Sequence, residues 1–204
     1  MPENTQQDNR TELLRKIKEE IVAGKNLPLY RERTKNGVHP VIGEGDHYAK
    51  IMFIGEAPGK NEAEQGRPFC GASGRILDQL LASVNIPRSE VYITNIVKDR
   101  PPMNRDPLPE EIKAYAPYLD RQIEIIRPEI VATLGRFSMA YIMNEFGLSN
   151  ELKSISLIHG QLFNAGTSYG QIKIIPLYHP AVAVYNGGMK EALAKDFQVL
   201  KQFR

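Results

Sequence analysis

Four short apolar runs constrain this chain more than anything else in it: Ile51-Met52-Phe53-Ile54, Val91-Tyr92-Ile93-Thr94, Ile130-Val131-Ala132-Thr133-Leu134 and residues 172–177. They largely lack polar alternation, so each suits a strand covered on both faces. Longer stretches between them repeat apolar residues at helical spacing, as Ile76, Leu77, Leu80, Leu81 and Val84 do. Strands separated by helices run parallel and carry helices on both faces. The expectation is an α/β fold, a three-layer α/β/α sandwich around a central, mostly parallel four-stranded sheet. Helices are predicted over 11–24, from Ser73 or Gly74, and over 109–126, 136–146 and 188–203. Residues 25–50 read as irregular, with a shorter segment near Gln161-Leu162-Phe163. Sites in such sheets form beyond the carboxyl ends of the strands. That puts the loops after Ile54, Thr94 and Leu177 on one rim.

At 204 residues the chain suits one domain. Its polar start, residues 1–9, reads as a flexible tail and residues 10–204 as the domain. Lys and Arg number 26 against 24 Asp and Glu, a net charge of +2. A local basic groove is compatible with this balance, which permits nucleic-acid binding without demanding it. Cys70 is the one cysteine, so an intramolecular disulfide and an all-cysteine metal site are both excluded. No metal is expected. No run approaches the roughly 18 apolar residues of a membrane span, and no signal core precedes residue 10. The expected compartment is the cytoplasm.

The rim loops carry the chemistry. The first is Gly55-Glu56-Ala57-Pro58-Gly59, running through Glu62 to Gly66-Arg67-Pro68-Phe69. Small residues directly after a strand let backbone approach a ligand. The second ends a strand at Thr94-Asn95 and continues into Arg100-Pro101-Pro102-Met103-Asn104-Arg105. The third is Tyr178-His179-Pro180-Ala181. Taken alone, the first fits an ordinary turn as well as a site, while a strand-end Asn is more often a backbone cap and a His beside Pro more often structural.

In order, Gly-Glu-Ala-Pro-Gly, Gly-Arg-Pro-Phe, Ile-Thr-Asn-Ile-Val-Lys, Arg-Pro-Pro-Met-Asn-Arg-Asp-Pro, Leu-Gly-Arg-Phe and His-Pro-Ala closely resemble the signature series of family 4 uracil-DNA glycosylases. The likeness runs from about residue 29 to residue 203. It implies a monofunctional base-excision repair enzyme that hydrolyses the N-glycosidic bond of uracil in single- or double-stranded DNA and leaves an abasic site. By this resemblance Phe69 stacks on the flipped base and Asn95 reads uracil N3–H and O4. His179 donates to O2 as the base leaves, and Glu56 and Asn104 position sugar or water. Glu62 walls off the 5-position, with Gly55 and Ala57 completing the uracil pocket. Ala57 stands where a sister family has an Asp acting on water, so leaving-group and sugar-cation stabilisation carry more of the reaction here. Ala181, Val182 and Tyr185 resemble a loop pressed into the minor groove. Arg67 and Arg100 are candidate phosphate contacts, as are Arg75, Lys98, Arg105 and Arg136.

Family 4 enzymes hold a [4Fe–4S] cluster on four cysteines. Aligned on the motifs, those positions here are Gly24, Leu27, Asp99 and Tyr115, and a cluster needs thiolates. No cofactor is therefore expected. Contact between Leu27 and the Tyr115 ring, plus an ionic or hydrogen-bonding Asp99, is expected in its place. A related subtype that traps uracil-DNA covalently has a basic, His-bearing insert after Gly-Arg-Pro-Phe. Cys70-Gly71-Ala72-Ser73-Gly74 leaves no room for one, so turnover is expected. The chain reads as a monomer. Three alternatives stay open at this point: a catalytically silent uracil-DNA-binding module, a glycosylase for another deaminated base such as hypoxanthine, and a hydrolase of free nucleosides.

Overall fold

The computed structural model describes residues 9–203. The expected tail lies outside the described residues except for Asn9, whose carbonyl accepts the Leu13 N–H at 2.9 Å and opens the first helix. In chain order the elements are α1 (Arg10–Ala23), α2 (Tyr30–Asn36), β1 (Glu44–Gly45), β2 (Ile51–Gly55), α3 (Lys60–Gln65), α4 (Ala72–Ser83), β3 (Tyr92–Asn95) and α5 (Pro109–Ile126). Then come β4 (Ile130–Leu134), α6 (Arg136–Glu145), α7 (Ile155–Ile158), β5 (Phe163–Thr167), β6 (Gly170–Leu177), α8 (Ala181–Tyr185) and α9 (Met189–Phe197).

The strand order is β1-β3-β2-β4-β6-β5. The four apolar runs form the parallel centre, β3-β2-β4-β6, and β2 and β4 are buried along their whole length. Their side chains alternate between two cores. Met52, Ile54, Val131 and Ile174 meet α1, α5 and α6 through Ile17, Tyr115, Leu119 and Ile142. Phe53, Ile93, Ala132 and Ile175 meet α4 and α9 through Leu77, Leu81 and Phe197 on the other face. The Phe53 and Phe197 rings stack there at 5.8 Å. This is the expected three-layer sandwich.

The sheet has six strands rather than four. Two antiparallel edges flank the parallel centre: β1 pairs with β3, and β5 forms a hairpin with β6. β1 is two residues long, too short to leave a periodic signal. β5, Phe-Asn-Ala-Gly-Thr, buries only Ala165, as an edge strand can. Helix α2 lies in the stretch expected to be irregular. It buries only Arg33 and therefore has no apolar stripe to detect. The last predicted helix stops at Phe197 and continues as a 3-10 stretch, Gln198–Phe203. No helix among the described residues is long and apolar enough to cross a membrane.

A buried polar clamp fastens the amino-terminal helices to the loop after β3. Arg33 Nη1 donates to both Asp99 oxygens at 3.0 Å, and the Tyr115 hydroxyl donates to Asp99 Oδ2 at 2.6 Å. Arg33 also donates to the carbonyls of Ile21 and Val22, capping the end of α1. Leu27 and Tyr115 share the same apolar cluster. An ideal Cβ at Gly24 would come within 2.7 Å of Leu27 Cδ1, so that corner is already filled.

Candidate active site

Parallel pairing brings the carboxyl ends of β2, β3 and β6 to one rim, and the three motif loops meet there. Gly55, the last residue of β2, is the register partner of Asn95, the last of β3. Gly55 must be glycine: an added Cβ would lie 2.3 Å from Asn95 Oδ1 and 2.9 Å from the Phe69 ring. Its hydrogen lets carboxamide and ring converge. Phe69 has φ 47, and Gly74 on α4 makes room for its carbonyl, which would sit 1.8 Å from a Cβ there.

These elements enclose a cleft of about 260 Å³, near the lower end of small-molecule pockets at about 300 Å³. Glu56, Ala57, Glu62, Phe69, Asn95, Asn104, His179 and Ala181 line it, with Gly55 directly beneath. The rings of Phe69 and His179 are 5.5 Å apart and inclined at 32°. Asn95 is buried, and its Oδ1 has no hydrogen-bond partner among the described residues. An unmet buried acceptor costs about 1–3 kcal/mol, so Asn95 Oδ1 is an acceptor that a donor on a bound base can satisfy. Thr133 Oγ1 is likewise unpaired but does not line the cleft.

His179 Nδ1 accepts the Ala181 N–H at 3.1 Å, which assigns the ring proton of the neutral imidazole to Nε2. Burial pulls the imidazole down to about 4, with Glu62 opposing. The ring is therefore a neutral donor at pH 7. Glu56 moves the other way. Burial first, then the nearby Asp106, pushes its carboxyl up to about 7, and Arg136 opposes. Glu62 Oε1 accepts the Gly71 N–H at 2.9 Å, fixing its carboxylate against the loop. Asn104 sits at φ 54, following Met103 at φ 57, two consecutive left-handed residues. Arg100 Nε donates to its Oδ1 at 2.7 Å.

Other expected contacts fall elsewhere. Arg67 makes a two-pronged ion pair with Glu44 at the β1 edge, both contacts at 2.8 Å. Arg100 is held against Asn104 at the cleft edge and also lines a small pocket beside α2. Val182 packs against the α4/α9 core, so the exposed part of α8 is Val184 and Tyr185, the latter 89% exposed. Lys98 is the clearest correction: it is fully buried under the site and cannot touch phosphate. Arg136 pairs with Asp106 at 2.5 Å, and Arg105 pairs with Glu111 while reaching the cleft wall. The expected site lacked Pro58, Gly59, Ser73 and Pro101, which also line the cleft. Their neighbours in the motifs were the available signal.

A family model described as the uracil DNA glycosylase superfamily matches residues 42–201. The chain is 45% identical to the type-4 uracil-DNA glycosylase of Sulfurisphaera tokodaii, over 93% of this chain and 84% of that protein. It is 41% identical to the type-4 enzyme of Archaeoglobus fulgidus, over 92% and 91%. Against that of Thermotoga maritima the figure is 35%, over 95% and 96%. With a cleft built from the ordered rim motifs and likeness running nearly end to end, this chain belongs to the uracil-DNA glycosylase superfamily, among relatives of type 4.

Proposed function

We propose that this chain is a monofunctional uracil-DNA glycosylase. The observation that carries the reading is the unpaired Asn95 Oδ1 in a cleft shared with Phe69 and the neutral, Nε2-protonated His179. Extruding a base costs a few kcal/mol, and stacking on Phe69 returns roughly 1–3 kcal/mol. Uracil presents N3–H to Asn95 Oδ1 and O4 to its amide N–H. Cytosine presents an acceptor and a donor at these places, so both contacts fail.

Hydrolysis breaks the bond from C1′ to N1, and the electron pair goes to the base. Negative charge gathers on O2 and N1 while the sugar becomes cation-like. His179 Nε2–H donates to O2 at that stage, a preorganised contact of the kind worth about 2.7–4 kcal/mol. It needs no added proton. Water then adds to C1′ and yields its proton to a base or to solvent. Glu56, when ionised, stabilises the sugar cation and orients that water together with Asn104. Ala57 offers no general base. No lysine lines the cleft among the described residues, which supports glycosylase action without strand cleavage.

The proposal includes a cytoplasmic monomer acting on single- or double-stranded DNA, with Tyr185 on α8 entering the space of the extruded base. A self-contained cleft in one chain and a lone cysteine support it. It also includes a fold without an iron–sulfur cluster, because the residues present do not fit one. Gly24, Leu27, Asp99 and Tyr115 bear no thiol, Asp99 is engaged by Arg33 and Tyr115, and Cys70 lies on the pocket loop. Iron and sulfide analysis of purified protein should find neither; about four irons per chain would refute this part. The function is tested on single-stranded and duplex oligonucleotides bearing U, C, T, hypoxanthine or xanthine. Abasic product from U alone is expected. Product from hypoxanthine but not U would overturn the reading.

A further inference from the structure

Beneath the cleft lies a group that the mechanism above does not use. Lys98 is fully buried, and its Nζ donates to Thr94 Oγ1 at 2.8 Å, to the Asn95 carbonyl at 2.6 Å and to Gln122 Oε1 at 2.6 Å. The Thr94 hydroxyl passes its own proton to the Ile42 carbonyl at 2.6 Å, so it meets Lys98 as an acceptor. Gln122 is held the same way round, its Nε2 donating to Ile42 O and to the Tyr92 hydroxyl. Three short donations need three N–H bonds, and only the ammonium has three. Burial favours the neutral amine, with Asp120 opposing. The acceptor geometry decides for the charged form, because a neutral amine would leave one acceptor unmet and set its lone pair against an oxygen.

All three direct acceptors are neutral groups, and the one carboxylate that offsets the charge, Asp120, acts on it without a hydrogen bond. A stitch between β3 and α5 would need no charge, and a buried charge is costly to place. The location gives it a use. The Lys98 ammonium grips the backbone carbonyl of the residue whose side chain reads the base. Low-dielectric surroundings carry its field further than water would. Fixed charge aimed where charge develops in the transition state is the most effective kind.

We propose that Lys98 is a positioning residue for base release: it locks Asn95 at the strand end and sets a permanent positive charge behind the carboxamide as the departing uracil becomes an anion. The inference rests on the uracil-excision reading. Active wild-type enzyme is therefore the first requirement, and its absence would sink that reading rather than this one.

The experiment compares single-turnover excision of uracil and of 5-fluorouracil by wild type and K98M. Fluorine makes the base a better leaving group, so it needs less help from a distant charge. Uracil excision by K98M should fall about 100-fold and 5-fluorouracil excision only about 10-fold, with affinity for DNA unchanged within about twofold. Equal loss on both bases would mean that Lys98 is only structural, and loss confined to affinity would overturn the proposal as well. If K98M does not fold by circular dichroism, K98M/Q122M removes the orphaned amide along with the ammonium and carries the same comparison. Failure of both variants to fold would assign Lys98 to stability and end the proposal.

Discussion

Adjacent residues in one loop, Lys98 and Asp99, lead to two regions built on opposite terms. In the clamp, the Asp99 carboxylate is matched by Arg33 and Tyr115, and Arg33 also caps α1. In the cleft, Asn95 Oδ1 has no partner among the described residues, the Glu56 carboxyl is pushed up to about 7, and Phe69 and Asn104 sit in left-handed backbone. Both regions bury polar groups. Where the groups answer one another they make structure; where they face an empty volume they make a site.

Mutation should separate the two regions by what it damages. Asn95→Ala should lower uracil excision by about 10³-fold and leave the melting temperature nearly unchanged; excision near the wild-type rate would dissolve the contrast. His179→Ala should reduce the chemical step by about 10²–10³-fold with DNA affinity largely kept, as single-turnover and binding measurements would show. Asp99→Ala should do the reverse. Leaving Arg33 buried and unpaired should cost about 3–5 kcal/mol of stability, read from denaturant unfolding, while activity per folded molecule survives.

A gentler probe is pH. Glu56 is raised to about 7, and the proposed mechanism uses its ionised form. Protonation as pH falls through 7 should therefore reduce kcat/KM, approaching tenfold per unit below the midpoint, and E56Q should flatten that limb. His179, lowered to about 4, stays neutral throughout this range and adds no second limb. The smallest effect is expected at Tyr185→Ala: severalfold weaker binding to uracil-containing duplex, less on single strands, since only a duplex leaves a gap to fill.

The parallel centre was legible because β2, β3, β4 and β6 are continuous apolar runs with helices between them. The edges were not, because β1 is too short for periodicity and β5 mixes Asn and Gly with its one buried alanine. The cleft was legible through the order of its motifs, and Phe69, Asn95 and His179 do meet there. Lys98 was misread as a phosphate contact, and Arg33 drew no expectation at all, for one reason: a basic residue looks exposed until its acceptors are known. Those acceptors are backbone carbonyls and a Gln and an Asp far away in sequence. Asp99 was anticipated as an ionic or hydrogen-bonded tether, but its partner Arg33 sits on a helix with no apolar stripe.

Gly55 and Asn95 face each other across a parallel ladder, and side chains on a strand change sides with every residue. A slip of β3 by one residue would turn the carboxamide away from the ring and put Thr94 or Ile96 in its place. The mutual placement of carboxamide and ring is thus inherited from strand alignment. Substitutions well inside the sheet, with no contact to DNA, are where broadened base choice should first arise.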